Sequence, residues 1–178
     1  MSSEQNPRLF FALWPTDRAR ARLAEIAARL ADADAVPVQN YHVTIAFVGE
    51  VPTARVAELR NIGAALRMSR CQLKFEALEY WPKPEVVVAA VRDIPSALAD
   101  AWRDLHEKLA ASQFALTPKR LRPHVTLARK VLQAPVLEPI VSVECEADQI
   151  CLVRSQSGNA HSIYTVVDTW PLLDTGEK

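Results

Sequence analysis

Two short stretches of the chain carry the residue types that acid–base chemistry on an anionic group requires. His42–Phe47 reads H-V-T-I-A-F, and His124–Arg129 reads H-V-T-L-A-R. The stretches agree at four of six positions and lie 82 residues apart in a chain of 178. Histidine can accept or donate a proton near neutral pH, because its unperturbed pKa is about 6.5. The threonine hydroxyls can donate hydrogen bonds to oxygens on which negative charge develops. The pattern indicates two proton-transfer groups and two hydroxyls acting on a compact anion such as a phosphodiester.

The regular alternation of side chains along a strand predicts a chemical face and an apolar face in each stretch. The chemical face would carry the histidine, the threonine and the alanine (His42, Thr44, Ala46; His124, Thr126, Ala128), and the apolar face would carry Val43, Ile45, Phe47, Val125 and Leu127. The small alanines would then leave room above the strand for a ligand. Arg129 would lie opposite His124, where it is either solvated at the end of the strand or reaches back to the ligand.

The duplication itself separates a functional from a structural interpretation of these stretches. A single His-x-Thr on a half-buried strand is more often a surface pair, since threonine is a normal strand residue. Two copies with the same pattern suggest an internal repeat whose halves meet about a pseudo-two-fold axis. We therefore expect both histidines to face one recessed cleft.

The rest of the sequence predicts an α+β fold with antiparallel sheets rather than a doubly wound parallel sheet. Apolar runs predict strands at 8–14, 41–49, 71–80, 85–92, 124–131, 136–146, 149–154 and 162–170. Amphipathic patterns predict helices at 16–31, from residue 53 and at 95–111. The strands at 71–80 and 85–92 should form a hairpin, because the prolines between them favour a turn. We expect one bilobal domain spanning residues 1–178, with loose tails at 1–7 and 174–178.

Composition excludes several classes of protein. Hydrophobic residues make up 49% of the chain, charged residues 24%, and the formal net charge is zero. A general DNA-binding protein would show a basic footprint, and a membrane span would need about 18 consecutive apolar residues. Neither feature is present, and the polar start lacks the layout of a signal peptide. The three cysteines, Cys71, Cys145 and Cys151, have no paired spacing, so we expect reduced thiols in a cytoplasmic protein.

Four segments give the chain a resemblance to the 2H phosphoesterase superfamily, and specifically to its RNA 2′,3′-cyclic phosphodiesterase (2′-5′ RNA ligase-like) branch. They are R-L-F-F-A-L at 8–13, N-Y-H-V-T-I-A-F-V-G-E at 40–50, L-R-P-H-V-T-L-A-R-K at 121–130 and Y-T-V-V-D-T-W-P-L at 164–172. The resemblance implies a bilobal fold in which two antiparallel-sheet lobes with outer helices surround a central cleft. It implies catalytic His42 and His124, phosphate-binding Thr44 and Thr126, and no metal or other cofactor. The implied substrate is an RNA 2′,3′-cyclic phosphate end opened to a 2′-phosphate. Nothing in the sequence requires more than a monomer, so we expect one.

Residues around the motifs leave several choices open. We expect His124 as base and His42 as acid, although two nearly identical motifs do not fix this order. The resemblance favours Arg129 as a possible substrate contact. Basic residues near the second motif either form a solvated face or attract an RNA end (Lys119, Arg120, Arg122, Lys130). Three aromatic residues could stack on a base, but core packing is the commoner role (Phe11, Trp14, Tyr41).

Four other functions remain compatible with the sequence. The same site could act on a different cyclic phosphate, or it could catalyse 2′-5′ ligation by the reverse reaction. A catalytically silent module that binds RNA ends is a third possibility, although a binding protein has no need of two proton-transfer groups. A metal site is the fourth, but neither motif contains a clustered cysteine or carboxylate that would complete it.

Overall fold

The computed structural model describes residues 6–30, 34–116, 120–158 and 161–174. Within these residues the three α-helices are α1 (Asp17–Ala27), α2 (Val56–Ala65) and α3 (Ser96–Ala111). The strands are β1 (Arg8–Leu13), β2 (Asp34–Ala35), β3 (Val43–Glu50), β4 (Cys71–Phe75), β5 (Ala77–Trp81), β6 (Val86–Ala90), β7 (His124–Arg129), β8 (Val143–Ala147), β9 (Gln149–Gln156) and β10 (Ile163–Pro171). The named strands pair antiparallel throughout, which confirms the predicted α+β class.

The two motif strands occupy corresponding places in two four-stranded sheets. The first sheet has the order β10-β9-β1-β3, and the second has the order β2-β7-β6-β5. In the first sheet β1 leads through α1 to its antiparallel neighbour β3. In the second sheet β6 leads through α3 to its antiparallel neighbour β7. This repeated strand–helix–strand arrangement is the structural counterpart of the duplicated motif.

The helices join the two sheets, because each packs against strands from the other half of the chain. Thr16 begins α1 by accepting a hydrogen bond from the backbone N–H of Ala19, and α1 then contacts β7 and β8. Helix α3 contacts β3 and α2. Its apolar stripe is fully buried (Leu98, Ala101, Leu105, Leu109), as is that of α1 (Ala19, Leu23, Ala27). Burial of each large apolar side chain contributes roughly 1.5–3 kcal/mol, so this shared core fixes the two motif strands relative to each other.

Two of the predicted strands differ from the structure. The strand expected at 71–80 divides at Glu76, so that β4 pairs with β8 while β5 forms the expected hairpin with β6. The strand expected at 136–146 is present only from Val143, and Val136 and Val141 are 94% and 80% exposed. Pro135 precedes this segment and Pro139 lies within it, and a proline cannot donate a hydrogen bond to a neighbouring strand. The apolar residues there were therefore a misleading indication of a strand.

Some expectations fall on residues that the structure does not describe. They concern parts of the two tails (1–5 and 175–178) and Lys119 in the basic loop. The first helix, expected to run to about Ala31, ends at Ala27. Among the described helices, none combines the length and the apolar character that crossing a membrane would need.

Candidate active site

Both motif strands contain a one-residue bulge at the fourth position of the motif. The pairing of β1 with β3 passes from Ala12–Thr44 directly to Phe11–Ala46, which leaves Ile45 without a partner in β1. The pairing of β6 with β7 passes from Val88–Thr126 to Val87–Ala128, which leaves Leu127 without a partner in β6. A bulge adds one residue to one strand. Because side chains alternate with a period of two, the last two motif residues, which follow the bulge, point to the opposite face from the one that regular alternation assigns.

The bulges correct the predicted faces at the last two motif positions. Ala46 and Ala128 are 2% and 1% exposed and pack into the core, so they do not leave room for a ligand on the histidine face. Phe47 is 47% exposed and pairs with Phe10, whose ring lies against His42. Arg129 is likewise exposed rather than buried opposite His124. The prediction that Phe47 belongs to the apolar face was therefore wrong, and Arg129 lies on the histidine side.

His42 is oriented by the backbone that precedes it. Its Nδ1 lies 2.7 Å from the carbonyl oxygen of Asn40. A carbonyl oxygen can only accept, so Nδ1 carries the proton and Nε2 is left with a free lone pair. Asn40 is itself buried, and its side-chain amide donates to the carbonyl of Ser162 at 2.8 Å. This bond ties the turn before β3 to the segment that begins β10.

Aromatic rings surround the His42 imidazole. The ring centroids of Phe10, Trp14 and Tyr164 lie 4.9, 5.7 and 5.0 Å from it, and the Trp14 plane is within 19° of parallel. Burial in these surroundings lowers the pKa of His42 to about 4. The hydrogen bond to Asn40 opposes this effect, while the positive charges of His124 and Arg129 add to it. At neutral pH His42 is therefore a neutral imidazole in the free protein.

His124 has the same backbone contact but different neighbours. Its Nδ1 donates to the carbonyl oxygen of Arg122 at 2.6 Å, and the Trp81 ring centroid lies 4.5 Å from the imidazole. The Arg122 guanidinium lies over Trp81 at 4.1 Å. Glu79 accepts from the Trp81 indole N–H at 2.9 Å and from Arg122 at 3.0 Å. A charged cluster therefore stands beside His124 where apolar rings stand beside His42.

The surroundings of His124 lower its pKa through burial first, with further contributions from the positive charges of Arg122 and Arg129. The hydrogen bond to the Arg122 carbonyl and the negative charge of Glu79 act in the opposite direction. Glu79 has no counterpart among the groups that act on His42. Glu79 therefore offsets only part of the effect of the two arginines, and the pKa of His124 is lowered overall.

The two histidines belong to one site. Cα atoms of β3 and β7 approach within 8 Å of each other, and the charge of His124 acts on His42. Thr44 and Thr126 are half-buried, each two residues beyond its histidine and before the bulge, so each shares its histidine's face. The charge of Arg129 lowers the pKa of both histidines, which places its guanidinium within electrostatic reach of each. This arrangement offers two free Nε2 atoms, two hydroxyls and one cation to a bound anion.

The other sequence candidates have varied positions. Phe11 and Tyr41 are buried in the core, so neither is available to stack on a base, whereas Trp14 lies beside His42. Lys130 forms an ion pair with Asp34 at 2.9 Å. Arg120 and Arg122 line a pocket next to His124. Of the four basic residues near the second motif, only Lys119 lies outside the described residues.

Four residues that contact or electrostatically influence the two histidines were not among the sequence candidates: Phe10, Glu79, Trp81 and Tyr164. Phe10 and Tyr164 lie in segments that carry the family resemblance, which was the one signal for them. Trp81 was assigned only to a turn, and Glu79 has no local pattern around it. Their positions depend on strand pairing across the sheets, which the sequence does not show.

Among the described residues, no three histidine, cysteine, aspartate or glutamate side chains are grouped closely enough to bind a metal ion.

Comparison with known proteins shows which family and which fold the chain resembles. The family model described as LigT-like phosphoesterase matches residues 13–88. An RNA 2′,3′-cyclic phosphodiesterase of Thermus thermophilus is 29% identical over 180 residues, covering 93% of this chain and 90% of that protein. One from Escherichia coli is 25% identical over 169 residues, covering 93% of this chain and 96% of that protein. The crystal structure of E. coli LigT complexed with 3′-AMP superposes with a TM-score of 0.88 at 24% identity, covering 94% of this chain and 99% of that one. The resemblance and the fold predicted from the sequence are confirmed.

Proposed function

We propose that the chain is a LigT-like phosphoesterase of the 2H superfamily and that it hydrolyses RNA 2′,3′-cyclic phosphate ends to 2′-phosphomonoesters. One observation supports this proposal above the others. His42 and His124 are each held by a backbone carbonyl two residues earlier in the chain, so that both Nε2 atoms are free in one site. Water attack on a cyclic phosphodiester needs one group to accept a proton and a second to donate one, and this pair can do both.

The reaction follows from the positions of these groups. One neutral imidazole takes a proton from water as the water oxygen bonds to phosphorus. The bond from phosphorus to the 3′ oxygen breaks, and the second imidazole, protonated at the start, gives its Nε2 proton to that oxygen. Thr44 and Thr126 donate to the non-bridging oxygens, and Arg129 offsets their charge. Each proton-transfer group should contribute roughly 10²–10⁴-fold to the rate.

The surroundings of the two histidines bear on which one is the acid. The aromatic rings around His42 favour its neutral form, which suits a base. The pKa of His124 is lowered less than that of His42, with Glu79 offsetting part of the effect of Arg122 and Arg129, so His124 is the more readily protonated of the two and suits an acid. We therefore assign His42 as base and His124 as acid, the reverse of the order expected from the sequence. The negative charge of a bound cyclic phosphate would favour protonation of either histidine, so the assignment rests on the difference between them.

The proposal includes a reaction without metal, because two imidazoles and Arg129 supply both proton transfers and charge stabilisation. It also includes a cytoplasmic monomer. The three cysteines are all free, as expected for a protein kept in a reducing compartment.

The test is a hydrolysis assay on a short RNA ending in a 2′,3′-cyclic phosphate, in the presence of EDTA. We expect turnover by the wild type, a product that is a 2′- and not a 3′-phosphate, and losses of roughly 10²–10⁴-fold in His42→Ala and His124→Ala. His106→Ala is the matched control, because His106 lies on α3 and bonds to the Trp102 carbonyl outside the site. Tight binding of the RNA without turnover would instead favour a binding module, and activity in both site variants equal to wild type would disprove the mechanism.

A further inference from the structure

A pocket of about 250 Å³ adjoins His124. Pro123, the residue before His124, and Ala90, its partner in β6, both line the pocket. Trp81 forms part of the wall and also lies 4.5 Å from the His124 ring. The remaining lining comes from the end of β6 and from the segment that leads into β7, including Arg92, Ile94, Arg120 and Arg122. The pocket therefore begins where the proposed catalytic site ends.

The side chains that line the pocket carry a net positive charge. Three arginines and one carboxylate line it, and the carboxylate of Glu79 is already bonded to Arg122. Arg92 and Arg120 are both exposed, and neither forms an ion pair with another described residue. Two guanidinium groups thus lie free at the rim of a concave surface, where they can meet an anion.

The pocket favours a phosphate over a nucleobase. A base would need a free aromatic face, but Arg122 covers Trp81 at 4.1 Å and His124 approaches the same ring at 59°. The indole N–H is also engaged, by Glu79. The groups that remain available in the pocket are the guanidinium donors of Arg92 and Arg120, whose forked geometry matches the oxygens of a phosphodiester.

We propose that this pocket is a subsite for the phosphodiester preceding the terminal nucleotide of the RNA, bound by Arg92 and Arg120. The proposal rests on the function proposed above and makes it more specific. It gives the enzyme a preference for oligonucleotide ends over free nucleoside 2′,3′-cyclic phosphates, because only an oligonucleotide has a second phosphate. Proteins that bind single-stranded nucleic acids commonly have a cationic groove that runs along the phosphate backbone.

The experiment compares a nucleoside 2′,3′-cyclic phosphate with a dinucleotide carrying the same terminal group. For the double variant R92Q/R120Q we expect kcat/KM on the dinucleotide to fall roughly tenfold or more, with the mononucleotide rate unchanged. The salt dependence of KM for the dinucleotide should also become shallower, since fewer phosphate contacts release counterions. Arg67→Gln is the matched control, because Arg67 is exposed at the end of α2 and is not part of the pocket.

The outcomes separate this proposal from the one on which it rests. If the wild type hydrolyses both substrates and the double variant slows them equally or not at all, the subsite is disproved and the proposed function stands. If the wild type hydrolyses neither, the proposed function fails and the subsite fails with it. A selective loss on the dinucleotide, with the melting temperature unchanged, supports the subsite.

Discussion

The two motif strands are alike in backbone and different in surroundings. In both strands the histidine Nδ1 donates to the carbonyl two residues earlier, at 2.7 and 2.6 Å. In both strands a bulge follows the threonine and returns the alanine to the core. Around His42, however, lie three aromatic rings, whereas His124 lies beside Trp81, Arg122 and Glu79. The repeat thus fixes where the two imidazoles point, and the neighbouring strands decide how readily each takes a proton.

The largest expected effect tests the functional side of this difference. In a substrate whose 3′ bridging oxygen is replaced by sulfur, the leaving group needs no proton. A variant that lacks the acid should therefore regain activity on this substrate. We expect His124→Ala to recover most of its loss of roughly 10²–10⁴-fold on this substrate, while His42→Ala does not. The measurement is kcat/KM for both variants on the oxygen and sulfur substrates. Recovery in His42→Ala instead would reverse the assignment and show that the free protein's electrostatics do not decide the roles.

A second expected effect concerns stability and pH. The folded-state pKa of His42 is about 4 and its unfolded value is about 6.5. As the pH is lowered, His42 therefore becomes protonated in the unfolded chain before it does in the folded protein. The contribution of neutral His42 to the free energy of unfolding should therefore be complete above pH 6.5 and decrease as the pH falls toward 4. At pH 5 this group alone should lower the free energy of unfolding by about 2 kcal/mol. Urea unfolding at pH 7 and pH 5 should show that His42→Gln removes this part of the pH dependence.

The matched variant for this experiment is His124→Gln. The pKa of His124 is also lowered, but Glu79 opposes the shift, so His124→Gln should remove less of the pH dependence than His42→Gln. Equal effects of the two variants would mean that the aromatic surroundings of His42 do not distinguish it from His124.

A smaller effect is expected where the two motifs differ in sequence. Arg129 and Phe47 occupy the same position after the bulge, but only Arg129 brings a charge to the site. Arg129→Gln should lower kcat/KM roughly tenfold because a charged hydrogen-bond donor to the phosphate is lost. Phe47→Ala should change it about twofold or less, since the Phe47 ring is exposed and lies beneath the Arg8 guanidinium, 5.5 Å from the ring centroid. Comparable losses in both variants would indicate that the position matters through packing rather than charge.

The smallest effect isolates Glu79. In Glu79→Gln the amide oxygen can still accept from the Trp81 indole N–H, but the negative charge is gone. The pKa of His124 should fall below its wild-type value, because Glu79 is the charge that raises it, and the pKa of His42 should not move. An NMR titration of the imidazole protons measures both values, with Glu144→Gln on β8 as the control. An unchanged His124 pKa would show that the Glu79–Arg122 pair screens itself and has no influence on the histidine.

Much of the site was predictable because it is local in sequence. The types and spacing of His42, Thr44, His124 and Thr126 are visible in the two stretches, and regular alternation correctly put each histidine and threonine on one face. The helices α1 and α3 followed from their apolar stripes, with ends that differ by a few residues. Alternation failed only from the fourth motif position onward, where each strand gains an unpaired residue.

The sequence by itself determined the pair of histidines, their threonines and the antiparallel α+β class, because side-chain chemistry and strand or helix periodicity are properties of short segments. Only the tertiary structure decided the faces of Phe47 and Arg129, since a bulge exists only relative to the strand it pairs with. It also decided what surrounds each imidazole. Tyr164 lies beside His42 because the strand order β10-β9-β1-β3 places their segments in one sheet. Glu79 acts on His124 because β5 and β7 both pair with β6. These neighbours set the local polarity, and local polarity sets the pKa of each histidine.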